Sequence, residues 1–438
     1  MTASPTGVTY ARRLGLFSAT MMVMGGIIGS GIFLNPAIVA QRVGTASLTL
    51  AAWATGAVIA GLGALVYAEL GARRPEAGGN YVYIRDALGG LPGFLFAWTW
   101  VFVVNAGAIA AVAVTFTHYL VAALGTSAGA GAPVAIGAIV LLTIISCVGL
   151  GPSAVTLNLL TILKLGALAL LIVAGMAWAG GAADPAPART TGVGASAFAA
   201  ALGPVLFAVG GWDAVNRVAA EVRDPGRNLP RSLVLGAAGV GAVYLLANVA
   251  YLQVLGPAGL AASTAPAADL MRRVAGEGGA RLVSAGIACS TFGFLGVAIF
   301  SGSRVAQAMA ADQPALGRIA RLHPRWRTPV PALVAQAAWA IALLLMGTYG
   351  ELLDWVVFGD WIFFGLAGVS LFVLRHREPA TGSFRVPGFP VVPALFVLAA
   401  AYAVYGMVAS NPGNALRGAA FILAGIPLYF FIARRRGA

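Results

Sequence analysis

Twelve stretches of this chain are apolar for long enough to cross the roughly 30 Å hydrocarbon layer of a bilayer. They fall at approximately 14–40, 46–72, 91–121, 132–150, 155–180, 196–221, 229–256, 278–309, 328–348, 350–374, 390–410 and 414–433. Lipid offers no partner to a bare N–H or C=O, so each stretch has to close its own backbone bonds, and at this length it does so as a helix. The expected fold is all-α and integral to the membrane. With 60% hydrophobic and only 9% charged residues, a soluble domain is excluded. The net charge of +13 would suit a nucleic-acid binder, but the basic residues are spread through short loops without aromatic-interleaved patches.

Topology explains that charge. With both termini on the cytoplasmic side, 20 of the 26 arginines lie inside and six outside, and one span more or fewer would scramble the segregation. Arg12 and Arg13 ahead of an apolar run imitate a signal peptide, but no Ala-x-Ala cleavage site follows, so the run reads as an uncleaved first helix. Cys147 and Cys289 sit inside apolar windows with no disulfide framework and no metal-ligand spacing, and His118, His323 and His376 share none either. No metal or other cofactor is expected. The loop at 73–90 is too polar to span and too aromatic for a solvated linker. It reads as an interfacial or re-entrant helix with its tyrosines at headgroup level and its arginines toward anionic lipid. The segment 256–280 reads as an outside loop with short helical turns.

The first window contains Gly25-Gly26-Ile27-Ile28-Gly29-Ser30-Gly31-Ile32-Phe33. Each glycine costs a helix interior about 1 kcal/mol relative to Ala, and four within seven positions predict a break. Unwound backbone survives at membrane depth only where it lines a protein cavity. The sixth window carries its own interruption at Phe207-Ala208-Val209-Gly210-Gly211-Trp212-Asp213. The polar, proline-containing linker at 184–192 divides ten helices into two sets of five. Broken helices at corresponding places of two halves point to an inverted-repeat transporter with a site at the midplane. A broken helix gathers free amides at one new end and free carbonyls at the other. The amides of Ser30, Gly31 and Ile32 suit a carboxylate, while the carbonyls near Ile27, before Gly29, and those from Phe207 through Val209 to Gly210 suit an ammonium. A zwitterionic α-amino acid uses both; the alternative is that the glycines serve only close helix packing.

Lys164, the only lysine, lies inside an apolar helix, where an ionisable group is functional by default. An ammonium can shed its proton when desolvated and a guanidinium effectively cannot. Lys164 is therefore expected to bridge the first broken helix to the scaffold as a fixed cation or a proton carrier, with snorkelling to the interface as the alternative. Ser290 and Thr291 are candidate partners for it, against back-bonding to their own helix. Phe207 and Trp212 are candidate gates over the substrate, or core. Asn105 either faces the cavity or makes an interhelical hydrogen bond. Asp213, Asn216, Arg217, Glu221, Arg223 and Asp224 read as an inner salt-bridge and capping network, or a solvated charge run.

These residues resemble the amino acid/polyamine/organocation superfamily, most closely its L-type amino acid transporter group. The likeness runs through residues 25–36, Tyr67-Ala68-Glu69-Leu70-Gly71 with 75–83, the second break, 221–231, Ser303-Arg304 and His323-Pro324 with 328–333. It implies a LeuT-type fold of twelve helices, with a 5+5 inverted repeat over 1–180 and 181–388 and accessory helices over 389–438. It further implies alternating access, backbone recognition of the amino acid, an aromatic gate at Phe207 and a coupling lysine at Lys164. Val209, Asp213 and Gly296 depart from the group's usual residues, and Val209 and Gly296 suggest a roomier, less polar pocket suited to neutral substrates.

The expected activity is sodium-independent transport of α-amino acids, with exchange ahead of proton symport. The alternatives are proton-coupled amino acid or polyamine transport, or a membrane-embedded amino acid sensor. Paired carboxylates, a Ser/His dyad and a metal centre are missing from the sequence, which argues against an enzyme. The expected setting is a bacterial-type inner membrane, and the partners are a small-molecule amino acid and the lipid bilayer, with no nucleic acid and no obligatory protein partner.

Overall fold

The computed structural model describes residues 9–125, 131–180, 195–313, 316–346, 349–379, 383–410 and 412–434. Each of the twelve expected windows carries helix. The first is a bent pair, α1 (Leu16–Ile27) and α2 (Gly31–Val43), kinked by 42° at the glycine break. There follow α3 (Ala46–Arg73), the short α4 (Asn80–Leu88), α5 (Gly90–Thr99) and α6 (Ala106–Leu124). Next come α7 (Gly131–Val148), α8 (Leu150–Met176), the second broken pair α9 (Ala195–Val209) and α10 (Ala214–Arg217), then α11 (Pro225–Ala262) and α12 (Pro266–Ala311). The chain closes with α13 (Val330–Met346), α14 (Tyr349–Arg377), α15 (Val391–Ser410) and α16 (Pro412–Arg434). Nine helices among the described residues are individually long and apolar enough to span a membrane, ten with the bent pair. The other two windows hold α9, shortened to 15 residues by its break, and α13, of 17 residues. The linker at 184–192 lies outside the described residues.

Local chemistry explains several helix ends. The Thr45 hydroxyl accepts from the Leu48 amide at 3.3 Å and caps α3, while Gly44 at φ 69° ends α2 in the left-handed conformation that glycine adopts without penalty. A proline inside a helix removes one N–H and orphans the carbonyl four residues earlier. Pro36 orphans the Ile32 carbonyl, and the Tyr251 hydroxyl donates to it at 3.3 Å. Pro204 orphans the Ala200 carbonyl, which the Arg42 guanidinium takes. Both repairs pin the broken pairs to their neighbours.

Two expectations change. The span through α5 and α6 is continuous but not uniformly α-helical, because Trp100–Asn105 forms a π-helical turn. The 73–90 loop does form a helix, α4, yet its tyrosines do not lie at headgroups: Tyr81 is 2% and Tyr83 0% exposed. The Tyr81 hydroxyl donates to Asp312 at 2.6 Å, and the Tyr83 hydroxyl accepts from Asn216 Nδ2 at 2.9 Å. The loop's arginines turn inward too, Arg74 to Asp86 and Glu378, and Arg85 to Asp312 and Asp86. Protein carboxylates within hydrogen-bond reach outcompete a lipid surface. The 256–280 segment is helical on both sides of kinks at Gly256 and Gly276, in keeping with short helical turns.

Candidate functional site

The two breaks meet. A Cβ on Gly26 would stand 2.7 Å from the carbonyl oxygen of Gly211, and Gly211 holds φ 89°, so neither position has room for a side chain. Just beyond, a Cβ on Gly31 would be 2.7 Å from Ala208 Cβ, which shows how closely α2 approaches α9. These glycines do allow close packing, and the contact they allow is between the two interruptions.

A cavity of about 310 Å³ opens at this junction, at the small end of the range for small-molecule sites. Its wall includes Ile27, Gly29, Ser30 and Gly31 from the first break, Phe207 and Gly210 from the second, and Asn105. The cavity continues along Leu34 and Ile38 of α2 and Ala108, Ala111 and Val112 of α6, away from the face that carries the N-terminal segment. On that terminal face the backbone is stitched shut. The amides of Arg13 and Leu14 both donate to the Glu221 carbonyl at 2.9 and 3.0 Å, and the Arg223 amide donates to the Leu14 carbonyl at 2.8 Å.

The opening amides of α2 have no intrahelical acceptors, by the geometry of any helix start. They are available to a carboxylate entering the cavity. At the end of α1 the carbonyls are already engaged. Lys164 Nζ donates to the Gly25 carbonyl at 3.1 Å and the Ile28 carbonyl at 2.8 Å, and the Tyr244 hydroxyl donates to the Ile27 carbonyl at 3.1 Å. Of the carbonyls at the two breaks, those left less engaged are the last ones of α9. Among them the Phe207 oxygen receives only a long 3.4 Å bond from the Gly210 amide.

Lys164 is fully buried and reaches α1 rather than the interface, which removes snorkelling. Ser290 and Thr291 are buried but do not hydrogen-bond to it. The Thr291 hydroxyl donates back to the Ile287 and Ala288 carbonyls of its own helix at 2.9 and 3.0 Å, and Ser290 Oγ has no partner among the described residues. Back-bonding is the cheaper choice for a buried hydroxyl in a helix. Ile32 and Val209 lie outside the cavity wall: Ile32 is fully buried, and Val209 Cγ1 is 3.7 Å from the place of a Cβ on Gly56 of α3. Trp212 does not cover the cavity. It is fully buried in an aromatic cluster behind it, stacked on Phe364 at 5.0 Å and edge-on to Tyr67, Trp361 and Phe396. Gly296 faces Leu157 and Leu142 instead of the cavity, so the pocket's width on α12 is set by Phe294, Val297 and Ala298.

The inner network is real but divided. Asp213 pairs with Arg217 at 2.5 Å, and Glu221 pairs with Arg304 at 2.7 Å, all four side chains being buried. Asn216 Nδ2 donates to the Tyr67 carbonyl and to the Tyr83 hydroxyl, both at 2.9 Å, while Arg223 and Asp224 are exposed. Arg217 is also part of the cavity wall, with its guanidinium 4.5 Å from the Trp100 ring centre. Trp100, Phe294, Asp360, Trp361 and Phe364 also line the cavity, and the sequence pattern does not single them out as site residues. Aspartate in an apolar window was the one usable signal among them.

The sequence model of the family described as amino acid permease matches residues 14–432. The chain belongs to the amino acid permease family. It is 32% identical to the large neutral amino acids transporter small subunit 2 of Mus musculus, over 97% of this chain and 81% of that one. It is 31% identical to the Asc-type amino acid transporter 1 of Mus musculus, with 97% and 81% coverage. The serine/threonine exchanger SteT of Bacillus subtilis is 29% identical over 98% of both chains. Like other permeases of the family, this multi-pass membrane protein is an amino acid transporter and not an enzyme.

Proposed function

We propose that this permease exchanges neutral α-amino acids by alternating access, independently of sodium. One observation carries the reading: the start of α2 and the end of α9 face a single cavity of about 310 Å³, offering amides and carbonyls to the two poles of one zwitterion. Phe207, half-buried at the cavity wall, is the gate, and Asn105 contributes an amide whose Nδ2 has no partner among the described residues. Lys164 acts as a built-in cation on the end of α1, in the place where a cation-coupled carrier would need a metal ion. The names of the neutral-amino-acid and serine/threonine relatives favour neutral substrates, and the exchanger among them favours exchange.

The same reading takes 1–180 and 181–388 as inverted five-helix repeats, each opening on a broken helix, and 389–438 as accessory helices. It places the protein in a bacterial-type inner membrane with both termini cytoplasmic, as the arginine segregation favours. It includes no obligatory protein partner. Reconstitution into liposomes with a labelled amino acid panel tests it. Uptake of neutral amino acids is expected when the liposomes are preloaded with amino acid, with no change when potassium replaces sodium. Sodium-dependent uptake, or none of any α-amino acid, would refute it.

A further inference from the structure

The cavity wall carries a carboxyl group for which a bound amino acid zwitterion offers no net counter-charge. Asp360 lies 11 residues into α14, within its apolar span Phe358–Arg377, and it is part of the same cavity wall as the two breaks. Its carboxylate makes no hydrogen bond or ion pair among the described residues. The charged groups near it among the described residues are Arg217 of α10, which lines the same cavity, and Asp213, to which Arg217 is paired, with Tyr67 of α3 behind them. Arg217 is already committed: Nη1 binds Asp213 at 2.5 Å, Nε binds Ser301 Oγ at 3.3 Å, and Trp100 covers its face. Lys164 is turned away, onto the carbonyls of Gly25 and Ile28. Two carboxylates thus share one guanidinium, and the unpaired carboxylate is the one in the cavity wall.

We propose that Asp360 is a proton-binding site, filled each time the carrier closes over a neutral amino acid. While the cavity is open, water solvates the carboxylate. Closure expels that water, and an unpaired carboxylate at membrane depth is expensive to bury. The substrate's carboxylate and ammonium cancel one another at the helix ends and leave Asp360 uncompensated. One proton from solution converts the carboxylate to a neutral carboxylic acid, and the same proton leaves when the cavity reopens on either side. Exchange then moves one proton with each amino acid in both directions, so exchange remains electroneutral. This inference rests on the neutral amino acid reading above.

The direct test is proton uptake per amino acid bound, followed with a pH dye in weakly buffered solution of the purified protein. Near one proton per bound neutral amino acid is expected, with the apparent Kd rising by up to about tenfold per pH unit on the alkaline side. Whatever the Asp360→Asn variant binds enters without a proton. Should that variant prove unstable, the unaltered protein supplies a second readout, a carboxylic acid band that appears in infrared difference spectra when amino acid is added. Proton-free binding by the unaltered protein, no such band, or equal proton uptake by Asp360→Asn would overturn the proposal. Preferential, proton-free binding of lysine or arginine would overturn it as well, by making a substrate cation the counter-charge. Failure to bind any neutral amino acid would instead strike the transport reading.

Discussion

Replacing Lys164 with alanine removes the ammonium that holds the end of α1. Two bonds are lost, to the Gly25 carbonyl at 3.1 Å and the Ile28 carbonyl at 2.8 Å. A hydrogen bond to a charged group contributes about 1.5–3 kcal/mol, so the pair positions the first break with about 3–6 kcal/mol. That is a factor of roughly 10² to 10⁴ in the population of the geometry that meets the substrate. The side chain is also tightly packed, since a Cβ on Gly293 would sit 3.1 Å from Lys164 Cε. Exchange by Lys164→Ala in preloaded liposomes should therefore fall at least about a hundredfold, while the detergent-purified variant stays monodisperse. Thr161→Val is the comparison, because Thr161 contacts the same helix through a single weak 3.4 Å bond to the Met21 carbonyl and its loss should cost only a few-fold. Exchange by Lys164→Ala within about threefold of the parent would refute the role.

Two further substitutions probe the breaks and the closed face. Gly211→Ala places a Cβ against the Gly26 carbonyl oxygen at φ 89°, which should destabilise the protein by about 2–5 kcal/mol from left-handed strain plus overpacking. A clear drop in thermal unfolding temperature in detergent and lost exchange are expected, and a parent-like melt would refute the packing of the two breaks. Glu221→Gln breaks the buried pair with Arg304, a change that typically costs about 3–5 kcal/mol, and should loosen the terminal face. Thiol labelling of an Ala77→Cys reporter, beside the backbone bridge between Ala77 and Val218, should then accelerate, and an unchanged labelling rate would count against a lock at this pair.

The membrane spans and both breaks could be read from the sequence because each rests on a strong local signal: long apolar runs, and glycines too dense for a helix. Lys164 was legible for the same reason, as a lone charge in a hydrocarbon setting. Partner choice was less so. Ser290 and Thr291 are close in sequence position to the expected lysine contact, yet a helical hydroxyl has an acceptor in its own backbone at no packing cost, and Thr291 uses it. Tyr81 and Tyr83 look interfacial by type, but Asp312 and Asn216 come from distant parts of the chain to claim them. Val209 and Gly296 sit beside site residues in sequence and face elsewhere, because one residue along a helix rotates the direction by about 100°, and Trp212 follows the left-handed Gly211 of the break into an aromatic cluster. The π-helical turn at Trp100–Asn105 has no composition signal at all. Asp360 is not legible as a site residue in a twelve-helix pattern, because which face of α14 meets the breaks is decided by packing.

The most direct measurement is a structure of the protein in lipid with a neutral amino acid bound. Its carboxylate is expected against the amides of Ser30 and Gly31, with its ammonium at the carbonyls that end α9 and its side chain near Phe207. An amino acid bound away from both breaks, or in the reverse orientation, would contradict recognition by the two broken helices.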